Sequence, residues 1–471
     1  MKHIIKSLVV LAAVATLAGC SKEFINKDKP LSMTEPLIFA DADYIESALL
    51  GCYDVFKSSN PTFMGGLGMI VFDSRGDDIV NVSNPVTMSD TYEMNVLGTS
   101  DENGRIWNYA YGTINTCNIF LENLEKYECE KVLGAALYKQ YAAEAKFLRA
   151  YSYYVLANLY SEPYCKNQNA LCVPLRTTAL VSAGNNDCPA APIKDIYEQI
   201  LNDCVPADLP NGVGKRDGVT RASKAAAQLL RMRVYMAEEE WTKAIAEGTA
   251  ISGYSLVSDV TKLYGTDIYD NTEMIFAMPA STQDKPNTQM SAAEYFSPDA
   301  TCTWLDTENG IMSKDGYFQA NDQRISKLVS DPDDNGHVYS KKYMDYGGHL
   351  DWLPLMRFAE VELNLAECYS NNANDGEAKK HLKAVRNRAF AGAADALDVD
   401  GLTGGAVKTA VLNERRIEFV CEGIRGIDII RLAETFSKHN EYVDLDVAPG
   451  QSNYYWPIPD NEKKYNKTLG K

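Results

Sequence analysis

Residues 105–127, RIWNYAYGTINTCNIFLENLEKY, and residues 138–160, YKQYAAEAKFLRAYSYYVLANLY, decide the fold. In the first stretch Ile106, Ala110, Ile114, Cys117, Leu121 and Leu124 recur at steps of three and four, which lays them along one face of an α-helix. In the second, Tyr141, Ala145, Leu148, Ser152, Val155 and Leu159 do the same. Neither stretch alternates with the period of two that a half-buried strand requires. Two long stripes so close in sequence predict partner helices that cover each other's apolar faces, and hence helix-on-helix packing.

Working outward, the same spacing marks a helix over 43–56, with Ile45, Leu49, Tyr53 and Phe56 on one face. A further helix is expected over 193–204, closed by Pro206 and Pro210. Others follow at 222–237, 241–251, 376–389 and 406–422, with one over 354–369 that opens on Pro354, a good first-turn residue. A weak repeat links two of these pairs. Tyr235 precedes Ala244 by nine residues, as Tyr369 precedes Ala378, which is the large-small pairing of tetratricopeptide hairpins. Between residues 254 and 353 helical periodicity fades and Gly, Asp, Asn, Ser and Thr rise, yet aromatic residues continue. A short strand is expected at 273–278, and the chain closes on an extended Trp456-Pro457-Ile458-Pro459. The expectation is a mainly α fold: a scaffold of tetratricopeptide-like helical hairpins with long irregular ligand-binding loops and little β. One domain spans 41–471, its helical scaffold at 41–253 and 354–471 and a loop-rich insertion at 254–353.

The N-terminus reads as an export signal. Lys2 and Lys6 precede an apolar run from Leu8 to Leu17, too short to span a bilayer of roughly 30 Å. Leu17-Ala18-Gly19-Cys20 follows as a lipobox. Residues 1–19 are therefore expected to be removed as a lipoprotein signal peptide, with Cys20 acylated as the membrane anchor. Residues 20–40, polar and carrying Pro30 and Pro36, read as a flexible tether. The formal charge is −18 over 471 residues. That balance argues against nucleic acid and against polyanionic ligands. Of 11 cysteines, ten remain beside Cys20. Cys117, Cys368 and Cys421 fall on apolar helical faces, and Cys165 and Cys172 are close enough for a local disulfide. No CxxC pair is present, which argues against a zinc ribbon.

Several blocks together resemble the SusD/RagB family of Bacteroidetes outer-membrane lipoproteins. They are Ala142-Ala143-Glu144-Ala145-Lys146-Phe147-Leu148-Arg149-Ala150-Tyr151, Arg357-Phe358-Ala359-Glu360 with its continuation to Glu367, and Ala384-Val385-Arg386-Asn387-Arg388-Ala389. The most specific is Glu414-Arg415-Arg416-Ile417-Glu418-Phe419, with Glu422-Gly423, Arg425, Asp428 and Arg431 after it. The closing Trp456-Pro457-Ile458-Pro459 also looks like the family's. Ile427 stands where an aromatic is usual and Lys146 where arginine is commoner. The resemblance implies a non-enzymatic, outward-facing outer-membrane lipoprotein that captures oligosaccharides and passes them to a SusC-like TonB-dependent transporter. The RagB branch implies a peptide ligand as the alternative.

The residues offer their own candidates. Glu414, Glu418 and Glu422 share a helix face with arginines at hand, which reads as a structural ion network. Asp73-Ser74-Arg75-Gly76-Asp77-Asp78 lies in an expected loop and has three readings: a Ca2+ site, a set of Asp73, Arg75 and Asp78 contacts to sugar hydroxyls, or a solvated turn. A pyranose presents an apolar C–H face on which an aromatic ring can stack. Tyr92, Tyr295, Phe296, Trp304 and Tyr317 are the loop rings placed to do so, on a face built from 60–104 and 280–350. Trp107 and Trp241, on helices, are expected in the core. The five histidines show no metal spacing, and GxSxG, HExxH and P-loop motifs are absent, so no metal and no hydrolase chemistry is singled out.

Overall fold

A computed structural model describes residues 34–471 apart from 59–62, 83–87, 183, 185, 288–289, 301 and 470–471. The signal peptide, Cys20 and most of the tether lie outside the described residues. Residues 34–40, expected as the end of the tether, instead form a short helix, Glu35–Ile38. They seat Phe39 against Phe120 and Tyr127, with ring centroids 6.2 and 5.6 Å away.

Helix α1 (Ala42–Lys57) begins where Asp41 Oδ1 accepts the N–H groups of Asp43 and Tyr44, satisfying donors the first turn leaves open. A short helix α2 (Leu67–Arg75) follows. The two decisive stretches form α3 (Asp101–Lys126) and α4 (Ala135–Tyr160), packed along each other, with α1 against both and α5 (Ile193–Asp203) against α4. The α3 stripe is buried at Ile106, Ala110, Ile114, Cys117 and Leu124. Helix α4 is buried on every side from Phe147 to Tyr160, because other segments close over the face that α3 leaves open.

The second half of the scaffold is α6 (Lys224–Ala237), α7 (Trp241–Ala250), α8 (Phe358–Asn371), α9 (Asp375–Phe390) and α10 (Gly405–Phe419), followed by α11 (Arg425–Arg431). The helix pairs α6–α7 and α8–α9 are the two hairpins the repeat implied, and the fold stacks them through α7 on α8. Ala244 and Ala378 are fully buried, and Tyr235 and Tyr369 pack half-buried beside them. Gly248 shows how close the helices come. A Cβ there would lie 2.8 Å from Met232 Cε and 2.9 Å from Leu365 Cδ2.

Pro354 does not open a helix. It lies inside a strand, β6 (Leu353–Arg357), paired antiparallel with β4 (Met274–Met278), where the expected short strand is found. A two-stranded sheet has an open edge that tolerates proline's missing N–H, and α8 starts only at Phe358. Three further two-stranded sheets are described: β1 (Ile79–Asn81) with β5 (Thr303–Leu305), β2 (Leu171–Pro174) with β3 (Ala190–Pro192), and β7 (Phe436–His439) with β8 (Asp444–Val447). Helix α10 ends at Phe419, short of Glu422, because Cys421 and Gly423 turn the chain through positive φ. At Gly423 a side chain would also strike Met69.

The 254–353 insertion is built into the core. Phe276, Tyr295, Phe296 and Tyr343 share one hydrophobic cluster with the α3–α4 stripes. It is also held by ions. Arg357 donates to Glu273 at 2.9 Å, Glu418 at 2.6 Å and Glu422 at 2.8 Å. Arg324 reaches Glu414 and Glu418 at 2.7 and 2.8 Å, and Lys342 pairs with Glu422. Arg415 and Arg431 share Asp428. All these groups are buried, and the acidic face of α10 is satisfied within the fold. The ten described cysteines are free thiols, Cys165 and Cys172 among them. No described helix is long and apolar enough to cross a membrane.

Candidate ligand-binding cleft

Most of the sequence-chosen candidates are interior. Asp73 and Arg75 lie on α2 itself, not on a loop. Asp73 is buried and accepts the Gly423 N–H at 2.6 Å, and burial pushes its carboxyl well above the usual range. Arg75 is fully buried and donates to the main-chain oxygens of Asn158 and Tyr454, its guanidinium 4.7 Å from the Phe436 ring centre. Asp78 is buried, accepting from the Ile311 N–H at 2.7 Å and from Arg416. Asp77 pairs with Arg425 and lies 3.4 Å from Arg416, so each aspartate of this segment is answered by a donor of the fold. Guanidinium and amide donors occupy the oxygens a Ca2+ would need, and no metal-binding cluster occurs among the described residues.

The rings divide likewise. Tyr295 is buried, its hydroxyl 2.8 Å from Ser74 Oγ and 2.5 Å from Asn81 Nδ2. Phe296 packs edge-on against it at 5.0 Å and is buried too. Tyr92 is buried beneath Lys438, with Nζ 4.0 Å from the ring centre, and its hydroxyl accepts from Asn440 Nδ2. Burial pushes its phenol up to about 12. Tyr317 is half-buried under the Arg386 guanidinium at 5.8 Å. Trp107 is core and Trp241 half-buried, packed against it. These rings are packing residues, because the apolar faces that suit a sugar also suit a neighbouring ring.

Trp304 alone of the predicted rings lines an open cleft. Pairing of β5 with β1 sets Trp304 opposite Val80, and the indole packs there with Val80 and Tyr339. The His337 ring stacks on it at 3.8 Å and 12°. Tyr442 stands edge-on at 5.7 Å and 74°. Three segments hold this corner. His337 closes a turn in which Asp333 Oδ1 accepts the Asn335 and His337 N–H groups, while Asp333 Oδ2 accepts from the Tyr339 hydroxyl. Tyr442 tips the β7–β8 hairpin, whose turn is set by Asn440 Oδ1 accepting from the Tyr442 and Val443 N–H groups. The third wall is a turn in which Asp306 Oδ1 accepts from the Glu308 and Asn309 N–H groups. Asn309 Nδ2 donates to His439 O at 2.5 Å, tying that wall to the hairpin.

The enclosed space is about 320 Å³, with Asn335, Asn440, Glu308 and Glu441 around the rings. Tyr442 is 45% exposed and Trp304 8%, so the outer ring of the corner is tyrosine and the indole is its floor. An aromatic corner ringed by amides and carboxylates can stack an apolar ligand face and hydrogen-bond hydroxyls at its edge. His337 and Tyr442 escape sequence reasoning. They lie 33 and 138 residues beyond Trp304, and only the tertiary fold joins them. The Asn440 turn beside Tyr442 was the available signal.

The chain matches known proteins along its length. A family model described as SusD family matches residues 307–471, and one described as starch-binding associating with outer membrane matches residues 33–236. SusD-like protein P25 of Formosa agariphila is 23% identical over 527 residues, covering 99% of this chain and 95% of that protein. A SusD-like carbohydrate binding protein from Bacteroides vulgatus, 20% identical, shares the fold with a TM-score of 0.76 over 92% of this chain and 98% of that one. A SusD superfamily protein from Bacteroides fragilis is 44% identical, with a TM-score of 0.88, over 92% of this chain and 100% of that one. Two family models in chain order, and identity this high over a whole structure, place the chain in the SusD family.

Proposed function

We propose that this chain is a glycan-binding lipoprotein, without enzymatic activity, that holds an oligosaccharide in the Trp304–His337–Tyr442 cleft. It is anchored through Cys20 at the outer membrane, facing outward, and delivers its cargo to a SusC-like TonB-dependent transporter. The aromatic corner carries the reading: a stacked indole–imidazole pair and an upright phenol surround a polar cleft of about 320 Å³. Family membership agrees with it. Calorimetric titration of the mature chain carrying Cys20→Ala against panels of oligosaccharides and peptides tests the ligand. Saccharide binding that Trp304→Ala and Tyr442→Ala weaken by about 1–3 kcal/mol is the expected result. Peptide binding without saccharide binding would establish the alternative cargo, and cleavage of a bound glycan would make the chain a hydrolase. Detergent extraction and pull-down through the lipidated chain should recover a TonB-dependent barrel. A transporter lid needs an interface of roughly 1,000 Å² or more.

A further inference from the structure

We infer that Glu308 and Glu441 make the cleft a charge filter, which excludes anionic saccharides and prefers an amino sugar to its N-acetylated counterpart. This rests on the cleft being the saccharide site. The aromatic corner supplies stacking that any pyranose could use, so it does not discriminate by charge. The lining does. Its acidic side chains are Asp306, Glu308 and Glu441, and it holds no lysine or arginine among the described residues. His337 is the one lining residue able to become cationic, and Asp333 Oδ2 already lies 3.5 Å from its Nδ1.

The three carboxylates are placed differently. Asp306 is buried and occupied with its own turn, accepting the Glu308 and Asn309 N–H groups at 2.9 and 2.8 Å. Glu308 and Glu441 are exposed at the opening. They come from segments far apart in sequence that the Asn309–His439 hydrogen bond clamps together. The Glu441 carboxylate also raises the pKa of the Tyr442 phenol, which sets negative charge beside the exposed ring. A uronate or sulfate on a sugar stacked at Tyr442 would meet this charge with no cation to neutralise it. An ammonium would find a carboxylate at the rim. On the neighbouring hairpin Asp444 and Asp446 flank His439, 2.6 and 3.3 Å from its ring nitrogens, so its positive charge is answered locally. The chain's −18 charge extends the same field outward.

The test is calorimetry of the mature Cys20→Ala chain with three probes of matched length: glucosamine, N-acetylglucosamine and galacturonate oligomers. Glucosamine oligomers should bind on the order of tenfold tighter than the N-acetylated ones at low salt, and galacturonate not at all. The preference should collapse at about 1 M salt, where the screening length is roughly 3 Å. The Glu308→Gln/Glu441→Gln variant should equalise the amino and N-acetyl forms, read as the ratio of their two affinities. N-acetyl binding with no preference for the amine, or a preference the double variant leaves intact, overturns the charge filter and leaves the saccharide reading standing. Absence of binding by these probes and by a broader neutral panel overturns both.

Discussion

Arg357 and Glu418 meet at 2.6 Å between the end of β6 and the last turn of α10, and neither is more than 2% exposed. The same guanidinium also holds Glu273 and Glu422. Burial opposes ionisation of Glu418, but Arg388, Arg357 and Arg324 override it and keep its carboxyl well below the usual range. Arg357→Ala would take one cation from each of three buried carboxylates, leaving Glu422 to Lys342 and Glu273 and Glu418 to Arg388, and a loss of about 3–5 kcal/mol is expected in urea unfolding. Lys383→Ala, at the exposed pair with Asp400, should leave the midpoint unchanged. Equal midpoints for the two variants would show that the network adds nothing to the fold.

Acid should destabilise the protein through Asp77. Burial raises its carboxyl, but Arg425 and Arg416 outweigh this and bring it down to about 2. The unfolded carboxyl takes up its proton near pH 3.8, the folded one near 2. Stability from this group is therefore present above pH 4 and is lost as pH falls toward 2, by about 2 kcal/mol. Urea melts of wild type and Asp77→Asn from pH 7 to pH 2 should converge at the acid end. A constant gap would rule out this origin.

Tyr295 and Tyr442 should separate structural rings from ligand rings. Tyr295→Phe deprives Ser74 and Asn81 of a buried hydroxyl partner and should cost about 1–3 kcal/mol of stability, with glycan affinity unaltered. Tyr442→Ala should leave the melting temperature within about 2 °C, the exposed ring contributing little to the fold, and weaken the glycan about tenfold or more. The opposite pattern would move the binding face back to the Tyr295 side.

Cys20→Ala should release the chain from membranes. Fractionation of cells lacking the transporter is the measurement, and membrane retention of the variant would exclude a lipid anchor.

The helices were legible because their signal is local. The stripes of α3 and α4 and the tyrosine–alanine spacing of the two hairpins are written within a few residues, at the period of the backbone itself. So was the ionic character of the Glu414–Glu418–Glu422 face, since three carboxylates on one helix face beside Arg415 and Arg416 imply ion pairing. Which cations answered was not legible. Arg324 and Lys342 come from a segment without helical period, and Arg357 falls just after Pro354, which reads as a helix start until β4 supplies its strand partner. The ligand rings fared worst. An aromatic in an aperiodic segment has the same local signature whether it packs inward, as Tyr295 and Phe296 do, or lines a cleft, as Trp304 does. Only the pairing of β5 with β1, and the hairpin that carries Tyr442 back across the chain, decided which rings met and which stayed open to solvent. Helical periodicity is a property of neighbours in sequence, whereas an aromatic corner is a property of neighbours in space, and Trp304 meets rings 33 and 138 residues further along the chain.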